Sequence, residues 1–227
     1  ELIVGDVRDP AITRRALIGV HVVYHFAAAV GVGQSMYQIE HYTSVNDLGT
    51  AILLEELAER PQVRRLLVAS SMSIYGEGLA RAGERLVEPE ERPLEQLKAG
   101  HWELRLGGRV LEPVPTPETK RPSLSSIYAL NKYNQERMGL IFGRAYDREV
   151  VALRFFNVYG PYQALSNPYT GVLAIFGSRL LNDRPPMVFE DGNQRRDFVH
   201  VADVARACRL ALETPGAAGE VINIGSG

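Results

Sequence analysis

A single cysteine, Cys208, stands in a chain of 227 residues. An intramolecular disulfide and a cysteine-cluster metal site are therefore both excluded, and the fold must rest on its apolar core. No apolar run reaches membrane length, and no signal-peptide or lipidation pattern occurs in these residues, so the expected setting is the cytoplasm. A surplus of positive charge is missing too. With 25 Lys and Arg against 27 Asp and Glu, the net charge is −2 and the sequence pI about 6.3. Such a balance leaves no broad basic surface for nucleic acid or an anionic membrane. What is present is an ordinary globular composition, 45% apolar and 23% charged, enough to bury the core of one large domain or of one domain and part of another.

Apolar runs of strand length at Val22 to Phe26, Leu66 to Ala69, Val150 to Phe155 and Val221 to Ile224 alternate with helical patterns near Tyr42 to Glu59, Tyr128 to Tyr146 and Asp203 to Glu213. That alternation predicts crossover units and a parallel sheet in an α/β fold. Arg60-Pro61 is a natural stop for the first of those helices, and Cys208 on the last reads as a buried structural thiol. Between residues 163 and 196 the pattern changes: NPYTGVLAIFGSRLLND predicts a helix and PPMVFEDGNQRRD a short strand and turn. Residues 78–121, rich in Glu, Arg and Pro and holding the lone Trp102, are long for a connection within a domain, which marks them as functional or mobile.

A glycine-rich strand-to-helix turn is also lacking. Nucleotide-binding doubly wound sheets open with one, because its glycines let backbone amides approach a pyrophosphate. Here the chain begins on a strand-like ELIVGD, and GVGQSM (Gly31 to Met36) has Met36 where the third glycine should stand. It reads as a loop over a cofactor. The expectation is an internal fragment without the first βαβ unit and without part of the C-terminal lobe.

The most informative pair is Tyr128 and Lys132 in SSIYALNKYNQE. One helical turn puts them on a common face, and an ammonium and a cationic ring beside the phenol would lower its pKa from about 10 toward working pH. A bare YxxxK is weak evidence; its company strengthens it. GDVRD, VVYHFAA, NDLGT, SSMSIYG, YALNK, RFFNVYGP, RRDFVHVADVA and VINIGSG follow one another along the chain. In that order and spacing the chain resembles the extended short-chain dehydrogenase/reductases, specifically the NAD-dependent epimerase/dehydratase family that acts on nucleotide sugars.

The resemblance implies a Rossmann-like doubly wound parallel sheet, incomplete here, with part of a smaller substrate lobe. Residues 1–162 would form the NAD-binding part with 78–121 as an insertion, 163–200 the nucleotide-sugar lobe, and 201–227 the return to the sheet. It implies Ser71, Tyr128 and Lys132 as the catalytic set, although Ser70 and Ser73 compete with Ser71 and any of them can be a strand-end cap. Asp6, Val7, Phe26, Ala27, Ala28 and Asn46 would line the NAD together with Tyr128 and Lys132. Asp6 can equally be a turn former and Asn46 an early helix residue. Ser71, Ser73, Asn157, Phe189 and Arg196 would meet the UDP- or dTDP-sugar. Arg195 competes with Arg196, which the position in RDFVH favours, and Phe189 can equally be a core residue. A homodimer is the implied assembly. Some relatives carry paired cysteines in the insertion; this one has none, so no metal site is carried over.

The reaction turns on the two positions after Ser71. Dehydratases of the family place Asp and Glu there; Met72 and Ser73 cannot supply that acid-base pair. The resemblance therefore implies a 4-epimerase working through a 4-keto sugar, of dTDP-L-rhamnose or UDP-glucose type. An NAD(P)-dependent keto-sugar reductase and a non-catalytic binding module are the alternatives.

Overall fold

The computed structural model of the protein describes residues 1–164 and 171–227. The chain enters on residues 1–6, which pair with no strand among the described residues, and Asp9 then caps α1 (Pro10–Ala16) by accepting from the amides of Ala11 and Ile12. The strand expected of ELIVGD is thus a correction: Leu2 and Val4 are 87% and 86% exposed. Strand character lies in packing against a partner rather than in the residues themselves.

Next come β1 (Val22–His25), the short α2 (Val32–Ser35), and a helical run from Ile39 to Ala58 divided into α3 (Ile39–Thr43), a π-helical stretch (Ser44–Leu48) and α4 (Gly49–Ala58). β2 (Arg65–Ser71) and α6 (Ile127–Tyr146) flank the insertion, and β8 (Glu149–Phe155), β9 (Asn157–Tyr159), α7 (Val172–Leu181), β10 (Phe198–His200), α8 (Val201–Glu213) and β11 (Val221–Ile224) complete the order. The stretch GVGQSM is therefore helix in part, not loop alone. Within the insertion lie β3 (Leu79–Ala82), β4 (Arg85–Val87), α5 (Leu94–Lys98), β5 (Arg105–Leu106), β6 (Arg109–Val110) and β7 (Glu112–Val114). They form an antiparallel sheet of order β4-β3-β7 and a separate β5–β6 hairpin. PPMVFEDG forms no strand, contrary to expectation, because nothing pairs with it among the described residues. The NPYT that opens the expected helical stretch before α7 lies outside the described residues.

The main sheet has the order β1-β2-β8-β11, all parallel, as alternating strands and crossover helices require. Period-two alternation sends neighbouring side chains to opposite faces. Leu66 and Val68 of β2 and Val150 of β8 join Leu53, Leu57, Leu140 and Phe142 beneath α4 and α6. Leu67, Val151 and Leu153 join Val204, Cys208 and Ala211 beneath α8. Helices on both faces of one parallel sheet make the doubly wound fold. Cys208 is a buried free thiol within the second cluster.

The inner face of α6 is divided along its length. Its early turns bury Asn131, Lys132, Gln135 and Glu136; its late turns bury Gly139, Leu140, Phe142 and Gly143. The glycines let the helix lie close on the sheet, since a Cβ at Gly143 would stand 2.8 Å from Val150 Cγ2 and 2.9 Å from the Arg148 carbonyl oxygen. Gly143→Ala is expected to destabilise the protein by roughly 1–3 kcal/mol, as overpacking does. Gly177→Ala on α7, where nothing lies within 4 Å of the added carbon, is expected to be neutral or stabilising by up to about 1 kcal/mol. Thermal melts of both variants check this; equal melting points would contradict the close approach of α6.

Candidate active site

Ligands of open α/β sheets bind outside the carboxyl ends of the strands, and the chemistry-bearing residues gather there. β2 ends in Ser70 and Ser71, which alternate in direction. The Ser70 hydroxyl donates to Glu136 Oε2 at 2.7 Å, which commits it to the interior. Ser71 Oγ accepts from the Ser73 amide at 3.1 Å and donates to Ser73 Oγ at 3.1 Å, and its side chain acts on the Tyr128 phenol to favour the phenolate. Ser71 is therefore a cap of the 3-10 turn Met72–Tyr75 and a group that acts on Tyr128.

Tyr128 is held from behind. Ser126 caps α6, accepting from the Ala129 amide at 3.0 Å. Ser35 Oγ of α2 accepts from the Tyr128 amide at 3.1 Å and donates to the Val32 carbonyl at 2.6 Å. Nothing in the sequence singled out Ser35, whose partner is 93 residues away. Burial raises the Tyr128 pKa, the Ser71 side chain opposes that rise, and Tyr42 adds to it. The expected depression is thus corrected for the chain alone. Lys132 turns its ammonium to Gln135 Oε1 at 2.7 Å, and the lysine itself is brought down to about 8 by burial.

Lys132 tops a buried polar cluster. Gln135 Nε2 lies 2.8 Å from Thr50 Oγ1, and Thr50 donates to the Asn46 carbonyl at 2.6 Å. His25 Nε2 stands 2.8 Å from the same Thr50 oxygen. Asn46, fully buried in the π-helical stretch, spends its amide on one residue: Oδ1 accepts from the Ala29 amide at 2.7 Å and Nδ2 donates to the Ala29 carbonyl at 3.1 Å. It acts on the segment after β1 through Ala29, beyond the plain helix-residue alternative. Phe26 and Ala27 are exposed in that segment and Ala28 half-exposed, and the Phe26 ring meets Phe155 edge-on at 6.0 Å.

On the other side of the Ser loop, Asn157 Nδ2 contacts Met72 Sδ at 3.7 Å and donates to the Asp197 carbonyl at 2.7 Å. Asp197 in turn accepts from the Ser226 amide and hydroxyl at 2.9 and 2.8 Å. The RFFNVYGP, RRDF and IGSG landmarks thus converge. Arg196 is exposed and donates to the Arg195 carbonyl at 2.8 Å. Both arginines precede β10, so strand alternation does not separate them. Phe189 is 71% exposed, which removes the core-residue alternative. At the chain's start, Asp6 is held by Arg8 at 2.6 Å, and the Arg8 hydrogen bonds keep its carboxyl down at about 2. Val7 packs where a Cβ on Gly49 would stand 2.5 Å from its Cγ1, so Gly49 of NDLGT is there for close approach.

A further buried group escaped sequence reasoning. Arg154 of β8 makes a two-pronged ion pair with Glu136, Nη2 to Oε1 at 2.7 Å and Nε to Oε2 at 2.9 Å, and donates to the Tyr75 hydroxyl at 2.7 Å. A charge inside an apolar strand pattern and another four residues past Lys132 were its only signals.

The residues present fit a dinucleotide. Only one of the three donors of the Lys132 ammonium is used among the described residues. The small residues Ala27 and Ala28 directly precede Ala29, whose backbone Asn46 holds at both amide and carbonyl. Comparison with known proteins places the chain accordingly. It matches the NAD dependent epimerase/dehydratase family over residues 1–97 and 108–225, and it belongs to that family, whose cofactor is NAD. The dTDP-L-rhamnose 4-epimerase of Burkholderia thailandensis is 35% identical over 232 residues, spanning 100% of this chain and 63% of the relative. A UDP-glucose 4-epimerase of Thermotoga maritima, solved with UDP-glucose, superposes with a TM-score of 0.77 at 29% identity, over 97% of this chain and 61% of that one. For the Thermus thermophilus UDP-glucose 4-epimerase in complex with NAD the values are 0.73, 30%, 98% and 62%. The chain thus spans less than two thirds of each of these proteins. No helix among the described residues is long and apolar enough to cross a membrane.

Burial lowers the His25 pKa to about 4 from 6.5, and the charge on Lys132 adds to the effect. The unfolded chain therefore binds a proton that the folded one refuses between those values. Stability from this group is complete above about pH 6.5 and falls as pH drops toward 4, by about 3 kcal/mol at most. His25→Gln, which keeps a donor for Thr50 and cannot ionise, is expected to lose less stability than wild type between pH 7 and 4.5. Urea denaturation at both pH values checks it, and equal losses would contradict the assignment.

Proposed function

We propose that the protein carrying this chain is an NAD-dependent nucleotide-sugar 4-epimerase acting on a dTDP-L-rhamnose- or UDP-glucose-type substrate through a 4-keto sugar. The observation that supports the reading is the place of Ser71 at the end of β2, where its side chain acts on the Tyr128 phenol, followed by Met72 and Ser73, neither of which offers a second acid-base group. NAD, when bound, would supply the acceptor and donor of the hydride. Tyr128 removes the proton of the C4 hydroxyl as the C4 hydrogen leaves, and Ser71 holds that hydroxyl. The ketone turns over, and Tyr128 gives the proton back when hydrogen arrives on its other face. The raised phenol pKa keeps Tyr128 in the protonated state that gives the proton back, and the first step needs a nearby cation to favour the phenolate. Lys132, with donors to spare, supplies the positive charge the phenolate needs.

In this reading Asp6, Val7, Phe26, Ala27, Ala28 and Asn46 serve the dinucleotide, Asn46 by fixing Ala29. Ser73, Asn157, Phe189 and Arg196 serve the sugar nucleotide, Arg196 by neutralising the diphosphate. Residues 1–162 and 201–227 form the dinucleotide part, 163–200 the sugar lobe, and 78–121 an insertion at the Ser loop. A homodimer in the cytoplasm goes with the reading, and a lone buried thiol suits that reducing compartment.

Tyr128→Phe is expected to leave folding and cofactor binding nearly intact and to lower epimerisation about a hundredfold or more, the loss typical of a positioned acid-base group. Near-wild-type turnover in a coupled epimerase assay would remove the central assignment. With dTDP-glucose, no 4-keto-6-deoxy sugar is expected, and mass spectrometry for loss of water checks this. A dehydrated product at useful rates would show that the Ser loop has been misassigned.

A further inference from the structure

We propose that Gln135 is a positioning residue: its side-chain amide holds the Lys132 ammonium and ties it through Thr50 and Asn46 to the segment that follows β1. The inference rests on the reading of Lys132 as part of the reacting set.

Donor and acceptor accounting leaves one arrangement. An ammonium only donates, so Gln135 must present Oε1 to Lys132, at 2.7 Å. Its Nε2 then faces Thr50 at 2.8 Å. The single hydroxyl proton of Thr50 goes to the Asn46 carbonyl at 2.6 Å, which leaves the lone pairs of Oγ1 for Gln135 and for His25 Nε2, 2.8 Å away. His25 must therefore carry its proton on Nε2. The 3.3 Å separation between Gln135 Nε2 and His25 Nε2 is then donor against donor and bonds nothing. Reversing the amide would set an NH₂ group against an ammonium and a carbonyl against a spent hydroxyl. His25, Thr50, Gln135 and Lys132 are all buried, so each lost partner strands a polar group in the interior.

The chain of bonds has a direction, from the Lys132 ammonium to the Asn46 backbone, and the Asn46 side chain grips Ala29 at both amide and carbonyl. Movement of the segment expected to line the dinucleotide is thus coupled to the lysine. A neutral partner is also the chemically distinct choice. The titratable groups around Lys132 are His25 from β1, Tyr128 one turn earlier, and Tyr42 of α3 beyond Tyr128. No carboxylate shifts the lysine, whose pKa is lowered by burial alone. Glutamate at position 135 would lock the ammonium in an ion pair; glutamine orients it and leaves its other donors available.

The test uses the protein carrying this chain with its lysines labelled at ¹³Cε and ¹⁵Nζ, and follows Lys132 by NMR titration without substrate. Gln135→Glu is expected to raise the Lys132 midpoint by about one unit or more, as an opposite charge at hydrogen-bond distance does. Gln135→Met is expected to lower the midpoint and to reduce epimerisation kcat about tenfold or more with KM for the sugar nucleotide within about twofold, since the loss falls on a group serving the proton-transfer step. Midpoints within a few tenths of a unit of wild type in both variants would overturn the proposal. If Gln135→Met fails to fold, the Gln135→Glu midpoint alone decides. If the wild-type protein does not epimerise, the proposed function fails, while the titration still rules on Gln135.

Discussion

Everything at this site depends on how close α6 lies to the sheet. Where the helix runs over apolar strand residues, the approach is set by Gly139 and Gly143, which face Val68 and Val150 with no room for a Cβ. The same approach continued toward the helix N-terminus buries Lys132, Gln135 and Glu136, and buried polar groups persist only when each is hydrogen-bonded. Glu136 is matched by Arg154 and Ser70. Lys132 and Gln135 are matched through Thr50, His25 and Asn46. One close packing contact thus divides the helix into an anchor and an active end, and places Tyr128, half-buried, beside Ser71 at the rim.

A buried ion pair such as Arg154–Glu136 is a poor source of stability, because desolvation offsets its attraction. Its value here is fixity. Glu136 receives Ser70 as well as Arg154, and Arg154 reaches Tyr75, whose hydroxyl donates to Asn223 Oδ1 at 2.7 Å. The ends of β2, β8 and β11 are joined by side chains at the level where the Ser loop leaves the sheet. Ser71 therefore departs from a braced strand end, and its direction relative to Tyr128 is set by the interior.

The sheet was legible because its strands are runs of Leu, Val and Ile bounded by turns, and burial on both faces demands such runs. Tyr128, Lys132 and Ser71 could be proposed from the sequence because residue type and short spacing single them out. Ser35, Thr50, His25 and Gln135 could not, since an ordinary Ser, Thr, His or Gln acquires meaning only from a partner tens of residues away. The strand expected of ELIVGD failed for the opposite reason, with the right residues and no pairing strand among the described residues. In the chain alone burial outweighs the Ser71 side chain and raises the Tyr128 phenol, a balance that residue type and spacing do not reveal. The insertion, which read as a connection long enough to be functional or mobile, holds a small antiparallel sheet of strands three or four residues long, too short for alternation to register.

The central claim is that a single hydrogen leaves C4 of a sugar nucleotide and returns to the same carbon from the other side, with Tyr128 handling only the hydroxyl proton. Deuterium at C4 of dTDP-L-rhamnose or UDP-glucose follows that hydrogen directly. The account predicts that the C4 epimer forms in ordinary water with its deuterium retained at C4, as read by NMR and mass spectrometry. Loss of the label to solvent, its transfer to C6 with loss of water, or its accumulation in reduced cofactor without epimer would contradict it.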